Sequence, residues 1–181
     1  MNSTIAGNSA QYRGGGIMIS SGSLELRNTI VALNTAGAGG GPDLYGSLLS
    51  HGFNLVGNAS SATIMPAQFS DRIGTAASPI DPLLGPLQNN GGTLTRALLV
   101  GSPAIDQGEA SGATTDQRGH PRLYDEPTVA NAPGSDGSDI GAFEAGSVPT
   151  ALVNISTRLR VETGDNVLIG GFISAACNRR K

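Results

Sequence analysis

Asn2-Ser3-Thr4-Ile5-Ala6-Gly7-Asn8 and Asn28-Thr29-Ile30-Val31-Ala32-Leu33-Asn34 are two versions of one heptapeptide, and they begin 26 residues apart. A shortened third version, Asn54-Leu55-Val56-Gly57-Asn58, begins another 26 residues on. Glycine-rich turns (Gly14-Gly15-Gly16, Gly39-Gly40-Gly41) and short apolar runs (Ile17-Met18-Ile19, Leu24-Glu25-Leu26, Leu48-Leu49) lie between the copies. A period in the twenties with several short strands per period is the pattern of a solenoid. One such coil cannot bury its inward face alone, but coils stacked at about 4.8 Å can. The expected fold is therefore all-β, a parallel β-helix, with Ile5, Val31 and Val56 in one aliphatic column. Asn8, Asn34 and Asn58 recur at a corner, where asparagine tolerates left-handed backbone and can bond neighbouring peptide groups. Stacked asparagines also bond one another in ladders. We read the three as a structural ladder; service as metal or sugar ligands is the alternative that the residue type leaves open.

Composition narrows the classes. The chain has 181 residues, 38% of them hydrophobic, yet only 4% aromatic and none tryptophan. Its core must be aliphatic. Gly (27) and Pro (10) suit many short strands and turns rather than helices. Net charge is −3 and only 14% of residues are charged, with no basic cluster beyond Arg179-Arg180-Lys181. Nucleic acid is an unexpected partner for such a surface. No apolar run approaches 18 residues, so no transmembrane helix is expected. Cys177 is the single cysteine and has no internal disulfide partner. His51 and His120 stand alone, without metal-ligand spacing.

The period loosens after Asn58. Ala59 to Ile80 is small, polar and irregular, with Met65 and Phe69 as candidate anchors of a loop or an imperfect coil. Asp81 to Leu87 carries prolines, which favour a sheet edge. Asn90-Gly91-Gly92 is a strong turn signal before the strand-like Leu94 to Val100. These features give three regions: coils over 1–105, a cap over 106–146 that closes the exposed end of the stack, and a linker with a strand-rich fragment over 147–181.

Three motifs follow in order: PAIDQG at 103–108, TDQRG at 115–119 and DIGAFE at 139–144. With the preceding DPLLGPLQNNGGTLTRALLVGS they resemble the C-terminal end of secreted and surface-exposed bacterial right-handed parallel β-helix proteins of the "choice-of-anchor Q" type. The insertion LYDEPTVANAPGSDGS between Arg122 and Asp139 departs from that pattern. The resemblance implies a pectate-lyase-like single-stranded solenoid in an extracellular or cell-surface, adhesin-like protein. Residues 151 to 174 resemble the opening of a separate β-rich module found downstream in large bacterial surface proteins. No leader peptide stands at Met1, and the chain opens inside a repeat, so we expect a fragment of a longer exported protein.

Asp116, Arg118, Arg122, Asp139 and Glu144 are the charges inside these motifs. In β-helix polysaccharide lyases an arginine abstracts a proton, and glycosidases use two opposed carboxylates, for which Asp81, Asp106, Asp116 and Glu144 are available. Mixed charges at this density pair most simply with one another, so we expect a structural ion-pair network and no catalytic residues. Asp136 and Asp139 lie in a single imperfect match to a calcium-binding nonapeptide, the one faint cofactor signal; no metal or other cofactor is expected. The functional expectation is a non-catalytic β-helix segment with a structural or adhesive role, meeting surface glycans or other cell-surface components. A carbohydrate-active enzyme is the alternative.

Overall fold

The matched heptapeptides lie side by side. In the computed structural model, which describes residues 1–146, Thr4, Ile5 and Ala6 pair in parallel with Ile30, Val31 and Ala32. The strands in chain order are β1 (Thr4–Ala6), β2 (Ser9–Ala10), β3 (Ile17–Met18), β4 (Glu25–Leu26), β5 (Ile30–Ala32) and β6 (Thr35–Ala36). They continue with β7 (Leu44–Ser50), β8 (Leu55–Val56), β9 (Ser61–Met65), β10 (Arg72–Ile73), β11 (Leu84–Asn89) and β12 (Leu94–Leu98). No helix occurs among the described residues, so none there is long and apolar enough to cross a membrane.

Three sheets are parallel. One runs β1-β5-β8-β10, a second pairs β2 with β6, and a third joins β3 and β4 to one side of β7, with β9 on the other. The column Ile5, Val31, Val56 holds in register and gains Ile73. Val31, Val56, Leu26, Leu44, Leu48 and Ala59 form one buried cluster, with Ile5, Ile17, Ile19, Leu24, Ala62 and Ile64 packed against it.

Strand residues alternate faces. Val31 points into that cluster, whereas its neighbours Ile30 and Ala32 point the other way, and all three are inaccessible to solvent. A strand apolar on both faces needs cover on both. The cover is the C-terminal segment: Leu98, Ala104, Ile105, Ile140 and Phe143 form a second cluster with Ile30, Ala32 and Leu55. Residues 106–146 thus lie along the outer face of the β1-β5-β8-β10 sheet. This corrects the expectation of a cap over the end of the strands. The apolar run Ile30-Val31-Ala32 is the physical reason, since its outward half must be buried by something.

Two further expectations are revised. Parallel pairing was expected through residue 105, but β11 and β12 pair antiparallel. Only Asn90 to Thr93 separate them, too short for the crossover that a parallel pair requires. Residues 59–80 are more regular than expected, contributing β9 and β10. Met65 and Phe69 are not anchors. Met65 falls on the outward parity of β9 opposite Leu49, and Phe69 is exposed in a turn held by polar bonds, Gln68 N–H to Asp71 and Phe53 N–H to Ser70 Oγ. The expected linker and strand-rich fragment at 147–181 lie outside the described residues.

Candidate functional site

The five charged residues singled out in the sequence converge in the segment over the β1-β5-β8-β10 sheet. The loop 114–122 folds back on itself: Thr115 bridges Pro121, Asp116 N–H donates to the His120 carbonyl, and Arg122 N–H to the Thr114 carbonyl. Asp116 Oδ1 accepts the N–H groups of Arg118 and His120, while Oδ2 accepts that of Glu144 at 3.1 Å. Arg118 completes the join. Its Nη2 lies 2.7 Å from Asp116 Oδ2 and donates to the Glu144 carbonyl at 2.6 Å, and its guanidinium sits 3.6 Å over the centre of the Phe143 ring. Both charged side chains of this pair are buried.

Arg122 is the largest fully buried side chain. Its Nη2 donates to the carbonyls of Asp139 at 2.9 Å and Gly141 at 2.5 Å. Its Nε stands 3.9 Å from Glu144 Oε2, and neither Nε nor Nη1 has a hydrogen-bond partner. Glu144 accepts the N–H groups of Tyr124 and Asp139, and Asp139 accepts those of Asp106 and Ala145. These bonds tie the DIGAFE loop to the start of the 123–138 insertion and to Asp106 of the PAIDQG motif.

Burial dominates the electrostatics. It pushes Glu144 up to about 9, helped by the neighbouring Asp139 charge and opposed by the Asp139 N–H and by Arg122. It pushes Asp139 up to about 6, against the N–H groups of Ala145 and Asp106. Asp106 is raised by burial too, and Arg122 is lowered by it. Three carboxylates of the network face two guanidiniums, and a proton retained on Glu144 brings the buried cluster to charge balance.

The corner asparagines are arranged differently from the expected ladder. Asn8 N–H and Nδ2 both donate to Asn34 Oδ1. Asn34 and Asn58 do not bond each other; both backbone N–H groups are held by the Asp43 carboxylate. The left-handed residues at this corner are Gly7 and Leu33, one position before the asparagines. The residues of the series that adopt left-handed backbone are Asn2 and Asn28, at a second corner that the sequence reading left out. There Asn28 Nδ2 donates to Asn2 Oδ1, Thr29 N–H to Asn54 Oδ1, and Asn54 N–H to Asp71 Oδ1. Asn2, Asn28 and Asn54 open the three matched segments, so their spacing was visible. Asp43 and Asp71 fall off the 26-residue spacing, and periodicity alone does not find them.

Asn28 also joins the sheet to its cover. Its Nδ2 donates to the Asp139 carbonyl and its Oδ1 accepts Glu109 N–H. Ion pairing of Arg27 with Glu109 and a bond from Arg72 to Gln107 fasten the same face. Burial would raise Glu109, but bonds from Ser111 and Arg27 outweigh it and leave its carboxyl lowered.

Neither aspartate of the nonapeptide-like stretch has an idle carboxylate. Asp136 accepts from Ala110 N–H and from both Ser138 N–H and Oγ, and the Asp139 bonds are described above. Among the described residues no group of three or more His, Cys, Asp or Glu is placed to hold a metal ion. His51 pairs with Glu25 at 3.1 Å on the surface. Of the possible glycosidase carboxylates, Asp106, Asp116 and Glu144 are buried and only Asp81 is exposed. No family model matches the chain, and comparison with curated proteins and with solved structures finds no match.

Proposed function

We propose that residues 1–146 are the closing part of a right-handed parallel β-helix with a structural or adhesive role, rather than a catalytic one, in an extracellular or cell-surface protein. Its partners on this reading are surface glycans or other cell-surface components. The parallel register of Ile5, Val31, Val56 and Ile73 supports the β-helix. One observation carries the non-catalytic half. A proton-abstracting arginine must reach a substrate, but Arg118 is stacked on Phe143 and bonded to Asp116 and the Glu144 carbonyl, and Arg122 is out of reach of solvent.

The test is Arg118→Ala, followed by two measurements on one protein. Removing one partner of a buried pair leaves an uncompensated charge, a loss of about 3–5 kcal/mol. The expected result is a clear drop in melting temperature and no turnover of acidic polysaccharides by the parent or the variant. A parent that degrades such a polysaccharide, with an equally stable but inactive variant, would replace this reading with a lyase.

A further inference from the structure

We propose that the open edge formed by β1, β2 and β3 is an interaction surface, and that its occupant is an extended segment of another polypeptide carrying this chain's own repeat. That repeat is an asparagine followed two or three residues later by an inward aliphatic residue, as in Asn28 to Asn34. The inference rests on the stacked-strand reading given above.

The first support is the edge itself. β1, β2 and β3 each pair on one side only, with β5, β6 and β7. Ile30 N–H donates to the Ser3 carbonyl and Gly7 N–H to the Leu33 carbonyl, so the peptide groups of Thr4 and Ala6 alternate to the open side. Exposed edges usually carry charge, proline or a bulge that prevents pairing. Thr4-Ile5-Ala6, Ser9-Ala10 and Ile17-Met18 carry none of these.

The second support is the apolar interior at this end. Ile5 and Ile17 are only half-buried, whereas their partners Val31 and Leu44 are inaccessible. The same holds for Ile19 and Leu24, members of the same cluster. One more strand set would finish the burial that the next strands inward already have.

The third support is polar. At the corner, a side-chain oxygen accepts the N–H of the segment before it: Asn34 Oδ1 from Asn8, and Asp43 Oδ1 from Asn34. Asn8 is exposed, and among the described residues its Oδ1 accepts no bond, so it presents the acceptor that a preceding segment would use. The covering segment leaves room for such a strand. Thr115 and Gln117 wall a groove of about 460 Å³ against Asn2, Ser3 and Thr4.

The experiment uses the full chain and a synthetic peptide of residues 27–36, with hydrogen exchange read residue by residue. The expected result is saturable binding that slows exchange at Thr4 and Ala6. Ala6→Pro, which removes an outward N–H, should weaken binding at least tenfold, and Val31→Lys in the peptide should do the same. Slow exchange at Ile30 to Ala32 in the free chain checks the stacked-strand reading separately. With those amides protected, a peptide that leaves Thr4 and Ala6 unchanged overturns the docking proposal. Fast exchange there would instead sink the stack on which it rests. Protection of Thr4 and Ala6 that rises with protein concentration, without peptide, would make a second copy the occupant and also overturn it.

Discussion

Asn28 donates its side-chain amide to the carbonyl of Asp139 at 3.0 Å, joining two segments 111 residues apart in sequence. The same side chain bonds Asn2 Oδ1 and Glu109 N–H, and none of it reaches solvent. Asn28→Ala removes all three bonds. It also places alanine at φ +48°, where asparagine is tolerated better. Each buried group left unsatisfied costs about 1–3 kcal/mol. We predict a loss of at least about 3 kcal/mol by urea denaturation. Asn58→Ala is the comparison: the side chain of Asn58 bonds only Ser60 N–H beside it, so the expected loss is under about 1 kcal/mol. Equal losses would mean that Asn28 is not the junction between sheet and cover.

Gly141 tests the closeness of that junction from the opposite side. A Cβ there would lie 2.7 Å from Thr4 Oγ1 and 2.8 Å from Ile30 Cδ1, and its φ of +105° already disfavours any side chain. Gly141→Ala should therefore destabilise by about 2–4 kcal/mol from strain and lost contact. Hydrogen exchange should quicken first in residues 138–145 and in β1. A variant of native stability would refute the packing of the DIGAFE loop on β1 and β5.

These two residues show how legible the fold was. The Asn-containing heptapeptides fixed the parallel register, because an equal spacing of aliphatic residues can stack only one way. Ile30-Val31-Ala32 carried a further message, a strand apolar on both faces, and that was the signal for the lateral cover. The motif charges could be expected to pair. Which backbone groups they hold depends on contacts across 80 residues or more, such as Glu109 N–H on Asn28, and no local pattern encodes those. The third segment is harder to read. Arg72 and Ile73 pair with Leu55 and Val56 at 17-residue spacing, and Asp71 replaces asparagine, so both period and residue type change together.

Stability should fall as pH rises through the neutral range. Glu144 (about 9 when folded, against 4.5) and Asp139 (about 6, against 3.8) bind protons more tightly in the folded state. Their contribution is therefore complete below the unfolded values and is lost as pH climbs through about 6 and then about 9. Glu109 has the opposite sign: its lowered carboxyl contributes above 4.5 and is lost in acid. We predict a melting temperature that peaks near about pH 5 and declines toward about pH 9. Glu144→Gln should flatten the decline above pH 6. An unchanged decline in that variant would place the responsible proton elsewhere.

Arg122 supplies the sharpest test of the buried network. Alone among its charges it is enclosed with two nitrogens unpartnered, so it contributes its charge and the Nη2 bonds but little else. Arg122→Met keeps most of the volume and removes the cation that faces Asp139 and Glu144. At pH 7 the expected loss is about 3–5 kcal/mol, the usual consequence of stranding a buried carboxylate. Two manipulations should reduce it. Lowering the pH to about 5 protonates the stranded groups and removes the charge rather than restoring its partner. Adding Glu144→Gln should have the same effect at pH 7, so the double variant should lose less than the two single losses combined, by about 1–3 kcal/mol. Denaturant curves of the four proteins at both pH values make the comparison. Strict additivity at pH 7, with no relief in acid, would show that Arg122 serves by packing and by its carbonyl bonds alone, and that charge balance does not organise this segment.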